Sequence, residues 1–188
     1  MQEMCFFATK SSMKIRMKRK LAVVLLICIS CHIGWAAQDF VWKSGQNMKV
    51  VCDTTEAPVV KVALDLLKRD CRSVLSGEIS HSENTGNIYV GTWGESSVLQ
   101  ALADTRQLDV AQLNEHKEAF LLNVLPDGRL VVAGSDKRGT AYGVLELSRM
   151  MGVSPWEWWA DAVPEKKEEF CLPAGFRKLD YPQVAYRG

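Results

Sequence analysis

The sequence has no spacing of cysteine and histidine that is typical of a metal site, although it contains six cysteines and three histidines. His81 and His116 lie in polar stretches, and we assign no role to either. The glycine-rich run at 134–139, GSDKRG, matches neither a P-loop nor a dinucleotide-binding fingerprint. We therefore expect no metal and no cofactor.

The sequence also lacks an apolar run of the ~20 residues that a membrane span needs. Its longest run, Leu21–Ile29, follows a basic stretch and precedes small residues at positions 34 and 36. This pattern predicts a secretory signal peptide over 1–37, no stable membrane span, and an exported protein, periplasmic or extracellular. Lipoprotein anchoring through Cys31 is the second alternative, because Cys28 stands where leucine is usual.

Net charge is small: the whole chain carries +1. Without the predicted leader, 17 basic and 21 acidic residues remain, which gives about −4. Such a balance does not favour a nucleic-acid partner. The 151 residues that remain are enough for one domain with its own core.

Few cysteines remain after the leader, namely Cys52, Cys71 and Cys171. An exported protein could pair Cys52 with Cys71. The alternative, which we adopt, is that all three are small buried apolar residues.

Apolar periodicity predicts an α/β domain with the element order βαβαββα, in which a small mixed β-sheet is flanked by helices. Helices are predicted over 58–76, over 96–103 and from Ala141 to Met151, and the last of these ends at Gly152. Strands are predicted at 40–42, 49–52, 87–91, 118–124 and 129–133, with a turn at 126–128. We expect residues 77–86 to be irregular, 165–169 to form a solvated loop, and 170–173 and 183–186 to be short extended pieces.

The turn after the strand at 129–133 is the first candidate for a binding site. In open α/β sheets, ligands lie where strands end at their carboxyl side, and Ser135, Asp136, Lys137 and Arg138 occupy that position here. The structural alternative is that Ser135 and Asp136 cap the following helix while Arg138 ties the turn to the domain, through Asp136 or a carbonyl.

The indole-rich segment that follows this helix is the second candidate. Trp156, Trp158 and Trp159 offer either a platform for stacking sugars or a wedge against a neighbouring domain, and Asp161 either lines a cleft or bonds to a backbone amide.

Two motifs, GSDKRGTAYG at 134–143 and GVSPWEWWAD at 152–161, resemble the N-terminal domain of glycoside hydrolase family 115. A third, PQVAYRG at 182–188, resembles the strand that leads into the (β/α)₈ catalytic barrel of that family. These enzymes are xylan α-glucuronidases, which release glucuronic acid or its 4-O-methyl ether. One departure is Ala162, an extra residue between Asp161 and the following Val-Pro. The resemblance implies an N-terminal α/β domain at 38–164, with 165–188 as the linker and start of a (β/α)₈ catalytic barrel that this chain lacks.

The resemblance also places the acid and base on the barrel, so we predict no catalytic residue in this chain. It implies glucuronoxylan or its oligosaccharides as the substrate, with Ser135, Lys137, Arg138, Trp156, Trp158, Trp159 and Asp161 as candidate substrate-binding residues. A guanidinium such as that of Arg138 can bind a uronate carboxylate in a bidentate manner. The alternative function is a free-standing carbohydrate-binding module that uses the tryptophans.

Overall fold

The computed structural model describes residues 37–184. The predicted signal peptide, apart from its last residue, and Cys31 lie outside the described residues, as do residues 185–188 at the end of the third family motif. Within the described part of the chain, no helix is both long and apolar enough to cross a membrane.

The first half of the domain alternates strands and helices. After β1 (Phe40–Lys43) and β2 (Asn47–Cys52), helix α1 (Pro58–Leu75) leads to β3 (Glu78–Ser82) and β4 (Ile88–Thr92), and α2 (Ser97–Asp104) follows. Pro58 occupies the first turn of α1, where its missing N–H costs no helical hydrogen bond. The Oγ of Ser96 accepts a hydrogen bond from the Leu99 N–H and so caps α2.

The second half contains the hairpin that the sequence predicts. A 3₁₀ helix (Ala111–Glu115) precedes β5 (Phe120–Val124) and β6 (Leu130–Gly134), and α3 (Lys137–Met151), the short α4 (Glu157–Ala160), β7 (Glu169–Leu172) and β8 (Arg177–Asp180) complete the fold. Gly128 turns the hairpin at φ +79°, and Gly152 ends α3 at φ +108°.

Six strands form one mixed sheet in the order β3-β2-β4-β6-β5-β8. Strands β3, β2, β4 and β6 are parallel, whereas β5 pairs antiparallel with both β6 and β8. Helices α1 and α3 cover one face, where Val90, Leu122 and Val132 face them. Helix α2 and the 3₁₀ helix cover the other face above Tyr89, Leu121 and Val131. This three-layer arrangement confirms the predicted fold class.

Four elements differ from the sequence prediction, one of which is the unpredicted 3₁₀ helix Ala111–Glu115. Strand β3 lies in the stretch 77–86 that was expected to be irregular, and it is an exposed edge strand whose polar residues give little apolar signal. Strand β8 was not predicted, and α4 forms where an irregular aromatic loop was expected. Strands β7 and β8 lie in the segment predicted as a linker, and they pair with β1 and β5 respectively.

The three cysteines of the described residues have free thiols. Cys52 and Cys71 are buried as expected, and burial raises the pKa of their thiols to about 12 and about 11. The prediction was wrong for Cys171, which is exposed because it points away from the core on strand β7, between the buried Phe170 and Leu172.

Candidate functional site

The carboxyl ends of β2, β4 and β6 meet at one edge of the sheet, where α/β domains commonly bind ligands. Helix α1 leaves β2 toward one face, and α2 leaves β4 toward the other. The crevice between these two strands is therefore the first place to look for a site.

Asp53, directly after β2, fills part of this crevice by binding the start of α2. Its carboxylate accepts hydrogen bonds from the Ser96 hydroxyl, the Ser97 N–H and the Ser97 hydroxyl, each at 2.9 Å. Burial pushes the pKa of Asp53 upward, but these hydrogen bonds outweigh it and hold the pKa below its ordinary value. Asp53 thus occupies the position that a bound anion takes at a helix N-terminus.

Glu56 also lies at this edge and is only 4% exposed. Its carboxylate accepts hydrogen bonds from the Thr92 hydroxyl at 2.7 Å and from the Thr92 N–H at 3.0 Å. The Thr92 hydroxyl also lies 2.9 Å from that of Thr140 on α3. Two of the domain's own carboxylates therefore take the place that a ligand has in many folds of this class.

The predicted corner after β6 is held together by its own hydrogen bonds. Asp136 caps α3 by accepting from the Arg138 and Gly139 N–H groups, and it also accepts from the Glu118 N–H. The Ser135 hydroxyl accepts from the Ala119 N–H at 3.0 Å. The cap that the sequence predicts for Asp136 is confirmed, whereas Ser135 bonds to the start of β5.

Arg138 ties this corner to the rest of the domain, although through a different partner from those considered. Its guanidinium pairs with the Glu118 carboxylate at 2.8 Å. Glu118 adopts φ +54°, a region that non-glycine residues seldom occupy. The Lys137 side chain next to it is exposed. Sequence reasoning missed Glu118 because nothing in the local pattern marks an acidic residue at a strand start as a partner for Arg138.

An open pocket of about 480 Å³ lies beside this corner. Ser135 and Asp136 form one wall, and the other wall comes from the 3₁₀ helix and the residues after it, including Asn114, His116 and Lys117. The His116 ring stacks on that of Tyr181 at 3.6 Å between centroids. His116, for which the sequence predicts no role, is thus part of the surface around Ser135.

The indole-rich segment lies at the other end of α3. A helix of 15 residues rises about 22 Å, so the corner at Ser135 and the indoles after Met151 are separated by the length of the helix. Trp156 is 65% exposed and Trp159 is 85% exposed, and Asp161 is also exposed, at φ +48°. The side chain of Trp158 lies outside the described residues. The candidate residues therefore form two surfaces.

Among residues 37–184, no group of three or more His, Cys, Asp and Glu side chains is arranged to hold a metal ion. The fold and the carboxyl edge define a three-layer α/β domain in which Asp53 and Glu56, at the usual ligand position, accept hydrogen bonds from the domain itself.

The comparisons with known proteins then give the family. No protein-family model matches the sequence, and no curated protein matches it. Among solved structures, the chain is 53% identical to a family GH115 4-O-methyl-α-glucuronidase, BtGH115A, which has specificity for decorated arabinogalactans. That match covers 78% of this chain with a TM-score of 0.74. The chain belongs to glycoside hydrolase family 115 and corresponds to one domain of the GH115 structure that it matches.

The extent of the match is as informative as its identity. The matched region spans 19% of the length of BtGH115A. A second structure, CpGH84D, matches 79% of this chain and 22% of its own length, with 16% identity and a TM-score of 0.55, which shows a shared fold. The chain is thus a fragment of a glycoside hydrolase.

Proposed function

We propose that this chain is the N-terminal accessory domain of an exported α-glucuronidase, which releases glucuronic acid or its 4-O-methyl ether from polysaccharide side chains. The observation that carries the proposal is the 53% identity to a 4-O-methyl-α-glucuronidase over 78% of the chain. Membership of the family supports the proposed carbohydrate chemistry. The hydrogen bonds that the carboxylates of this domain accept support the proposed accessory role.

The accessory role rests on what the carboxylates of this domain do. Hydrolysis of a glycoside requires two carboxyl groups that flank the scissile bond. At the carboxyl edge, Asp53, Glu56 and Asp136 instead accept hydrogen bonds from the domain itself. A carboxylate that caps a helix or binds a neighbouring strand is poorly placed to exchange protons with a substrate. We therefore assign the acid and the base to the remainder of the enzyme.

Two polysaccharides are candidates for the substrate of the proposed enzyme. The family resemblance favours glucuronoxylan or its oligosaccharides, whereas BtGH115A has specificity for decorated arabinogalactans. A 4-O-methyl-α-glucuronidase acts on a sugar that carries a uronate carboxylate. In this domain, Ser135, Lys137 and Arg138 are the candidates for a rim that meets that carboxylate, because cationic side chains pair well with it.

The experiment is a comparison of two polymers with the enzyme that carries this domain in full. Release of uronic acid from glucuronoxylan and from a decorated arabinogalactan is measured side by side by anion-exchange chromatography. We expect release from at least one polymer and a clear preference between them. An enzyme that leaves both polymers intact and cleaves neutral glycosides instead would refute the proposed activity.

The rim is tested separately with Lys137→Ala, because its side chain is exposed and its loss leaves the Arg138–Glu118 pair in place. A role in binding predicts a higher KM for the uronide polymer with an unchanged kcat. The matched control is Lys49→Ala, an exposed lysine on β2. Equal KM values for both variants and the parent would remove Lys137 from the rim.

Export follows from the predicted leader. N-terminal sequencing of the secreted protein should show a cut near residue 37. A diacylglycerol-modified Cys31 would replace this proposal with lipoprotein anchoring.

A further inference from the structure

The pocket of about 480 Å³ beside Ser135 contains polar side chains that the domain itself does not use. Its outer wall carries Asn114, Glu115 and Lys117, which are all exposed. Within the described part of the chain, none of these three side chains makes a hydrogen bond or an ion pair with another residue. The volume of the pocket lies within the range of roughly 300–1,000 Å³ that is usual for small-molecule sites. We call this cavity the 3₁₀ pocket.

The wall of the 3₁₀ pocket is fixed to the corner after β6 by backbone contacts. The Ala119 N–H donates to the Ser135 hydroxyl at 3.0 Å, and the Ser135 N–H donates to the Ala119 carbonyl at 2.9 Å. The Glu118 N–H donates to the Asp136 carboxylate at 2.8 Å. Glu118 adopts φ +54°, a conformation that persists in a non-glycine residue only where surrounding contacts impose it. A wall that is already ordered loses little conformational freedom when it binds a ligand.

His116 adds to the 3₁₀ pocket a ring whose orientation is also fixed. Its imidazole stacks on the Tyr181 ring, with 3.6 Å between the centroids and 6° between the planes. The imidazole is half-buried and lines the pocket, but neither ring nitrogen has a hydrogen-bond partner among residues 37–184. A neutral imidazole has one nitrogen that donates a hydrogen bond and one that accepts. His116 therefore offers both kinds of contact from a ring that is already in place.

The hydrogen-bonding groups of the 3₁₀ pocket match a neutral sugar better than an anion. Two N–H groups at the start of α3, which an anion would use, already donate to the Asp136 carboxylate. On the outer wall, Lys117 is a donor, Glu115 is an acceptor and the Asn114 amide is both, so the two charges oppose each other. Each hydroxyl group of a sugar donates and accepts hydrogen bonds, and it therefore suits a wall that mixes the two.

We infer that the 3₁₀ pocket is a saccharide subsite, which binds a neutral sugar of the polysaccharide through the side chains of residues 114–117. This inference rests on the proposed function, which supplies a polysaccharide as the ligand. Lys137 and Arg138, the cationic candidates for the rim, come directly after Ser135 and Asp136 of the pocket wall. A neutral sugar in the pocket would therefore lie beside the rim, and its role is to hold the polymer and not to take part in the chemistry.

The first test is titration calorimetry of the full-length enzyme with oligosaccharides of xylan and of galactan that contain no uronic acid. These probes are not substrates of the proposed α-glucuronidase, so binding is measured without turnover. The double variant Asn114→Ala, Lys117→Ala should bind at least one probe roughly tenfold more weakly, because two hydrogen bonds to the sugar are lost. Lys49→Ala, an exposed lysine on β2, is the control and should bind as the parent does. Equal Kd values for the three proteins would overturn the inference.

Oxidative footprinting of histidine, read by mass spectrometry on the same enzyme, locates the bound sugar. His116 should react severalfold more slowly when a neutral oligosaccharide is added, because a ligand in a pocket excludes water from the side chains that line it. His81, which is exposed on β3, is read in the same spectra and should react at an unchanged rate. Reactivity of His116 that stays the same at saturating sugar would overturn the inference, also where the rest of the enzyme already covers the pocket.

An anion site would give a different result. Free glucuronate would then protect His116 where neutral oligosaccharides do not, and Glu115→Gln would bind glucuronate more tightly because a negative charge beside the ligand is removed. Either observation would overturn the inference. A neutral-sugar subsite predicts instead that Glu115→Gln binds the oligosaccharides no more tightly than the parent.

Uronic acid release from glucuronoxylan and decorated arabinogalactan is assayed on the same enzyme preparation, so that the two proposals can fail separately. An active enzyme whose His116 is not protected by neutral oligosaccharides refutes the subsite alone. An enzyme that releases no uronic acid but whose His116 is protected refutes only the proposed activity.

Discussion

At the scale of single residues, the domain uses its own carboxylates where related folds hold a ligand. Glu56 accepts hydrogen bonds from the Thr92 side chain and backbone, and Asp53 binds the two serines at the start of α2. These contacts fasten β2 to β4 and to α2. They also engage the carboxylates that a catalytic interpretation of this edge would need.

Glu56→Gln tests the buried contact. The amide nitrogen of glutamine would face the Thr92 or Ala57 N–H donors, so one donor would lose its acceptor. We expect a loss of about 1–3 kcal/mol in the free energy of unfolding, measured by urea denaturation. The control is Glu95→Gln, an exposed residue, which should stay within about 0.5 kcal/mol of the parent. Equal stabilities for the two variants would show that the Glu56 contacts contribute little.

The glycines of the GSDKRGTAYG motif have a packing role that the sequence alone does not reveal. A side chain on Gly139 would run into the carbonyl oxygen of Ala119, next to the start of β5. The close approach of α3 to β5 therefore depends on the absence of a side chain at this position.

Gly139→Ala should be destabilising, although the same change in an exposed helix is stabilising by up to about 1 kcal/mol. Overpacking at such a contact costs about 1–3 kcal/mol, so the net change in the free energy of unfolding becomes unfavourable. Thermal unfolding is the measurement, with Lys137→Ala in the same helical turn as the control. A Gly139→Ala protein with a higher Tm than the parent would refute the packing role.

At the scale of elements, the prediction succeeded where local rules decide the structure. Pro58 begins α1, Ser96 caps α2, and Asp136 and Gly152 bound α3, each by contacts within a few residues. It failed for β3 and β8, whose partly exposed and polar residues form strands only because β2 and β5 offer unpaired edges. A non-local pairing of this kind leaves no periodic signal in the segment itself.

The cap of α2 has a pH dependence whose sign follows from the lowered pKa of Asp53. The ordinary pKa is 3.8, and the hydrogen bonds from Ser96 and Ser97 place the folded-state value lower. The ionised form thus stabilises the fold fully above pH 3.8, and this contribution is lost as the pH falls through the folded-state pKa.

Asp53→Asn should therefore reduce stability at neutral pH, and the difference from the parent should shrink as the solution is acidified below the ordinary pKa of aspartate. Urea denaturation at a series of pH values measures this, with Asp65→Asn on the exposed side of α1 as the control. A stability difference that does not change with pH would contradict the role of the charge.

At the scale of the whole molecule, the length of α3 decides how the candidate residues are distributed. The two candidates, the corner at Ser135 and the indole-rich segment, are close in sequence, but a 15-residue helix separates them along its length. The family resemblance was confirmed by the 53% identity, whereas the division into two surfaces required the fold. One surface lies beside the pocket at Ser135, and the other carries the exposed Trp156 and Trp159.

The central proposal is that the acid and the base of the proposed α-glucuronidase lie outside these 188 residues. Its most direct test is a time course of uronic acid release from glucuronoxylan and decorated arabinogalactan by the purified chain, beside the full-length enzyme at equal molarity. We predict release by the full-length enzyme and none by the chain above the rate without protein. Release by the chain itself, abolished by Glu56→Gln or Asp53→Asn in a folded protein, would contradict the account.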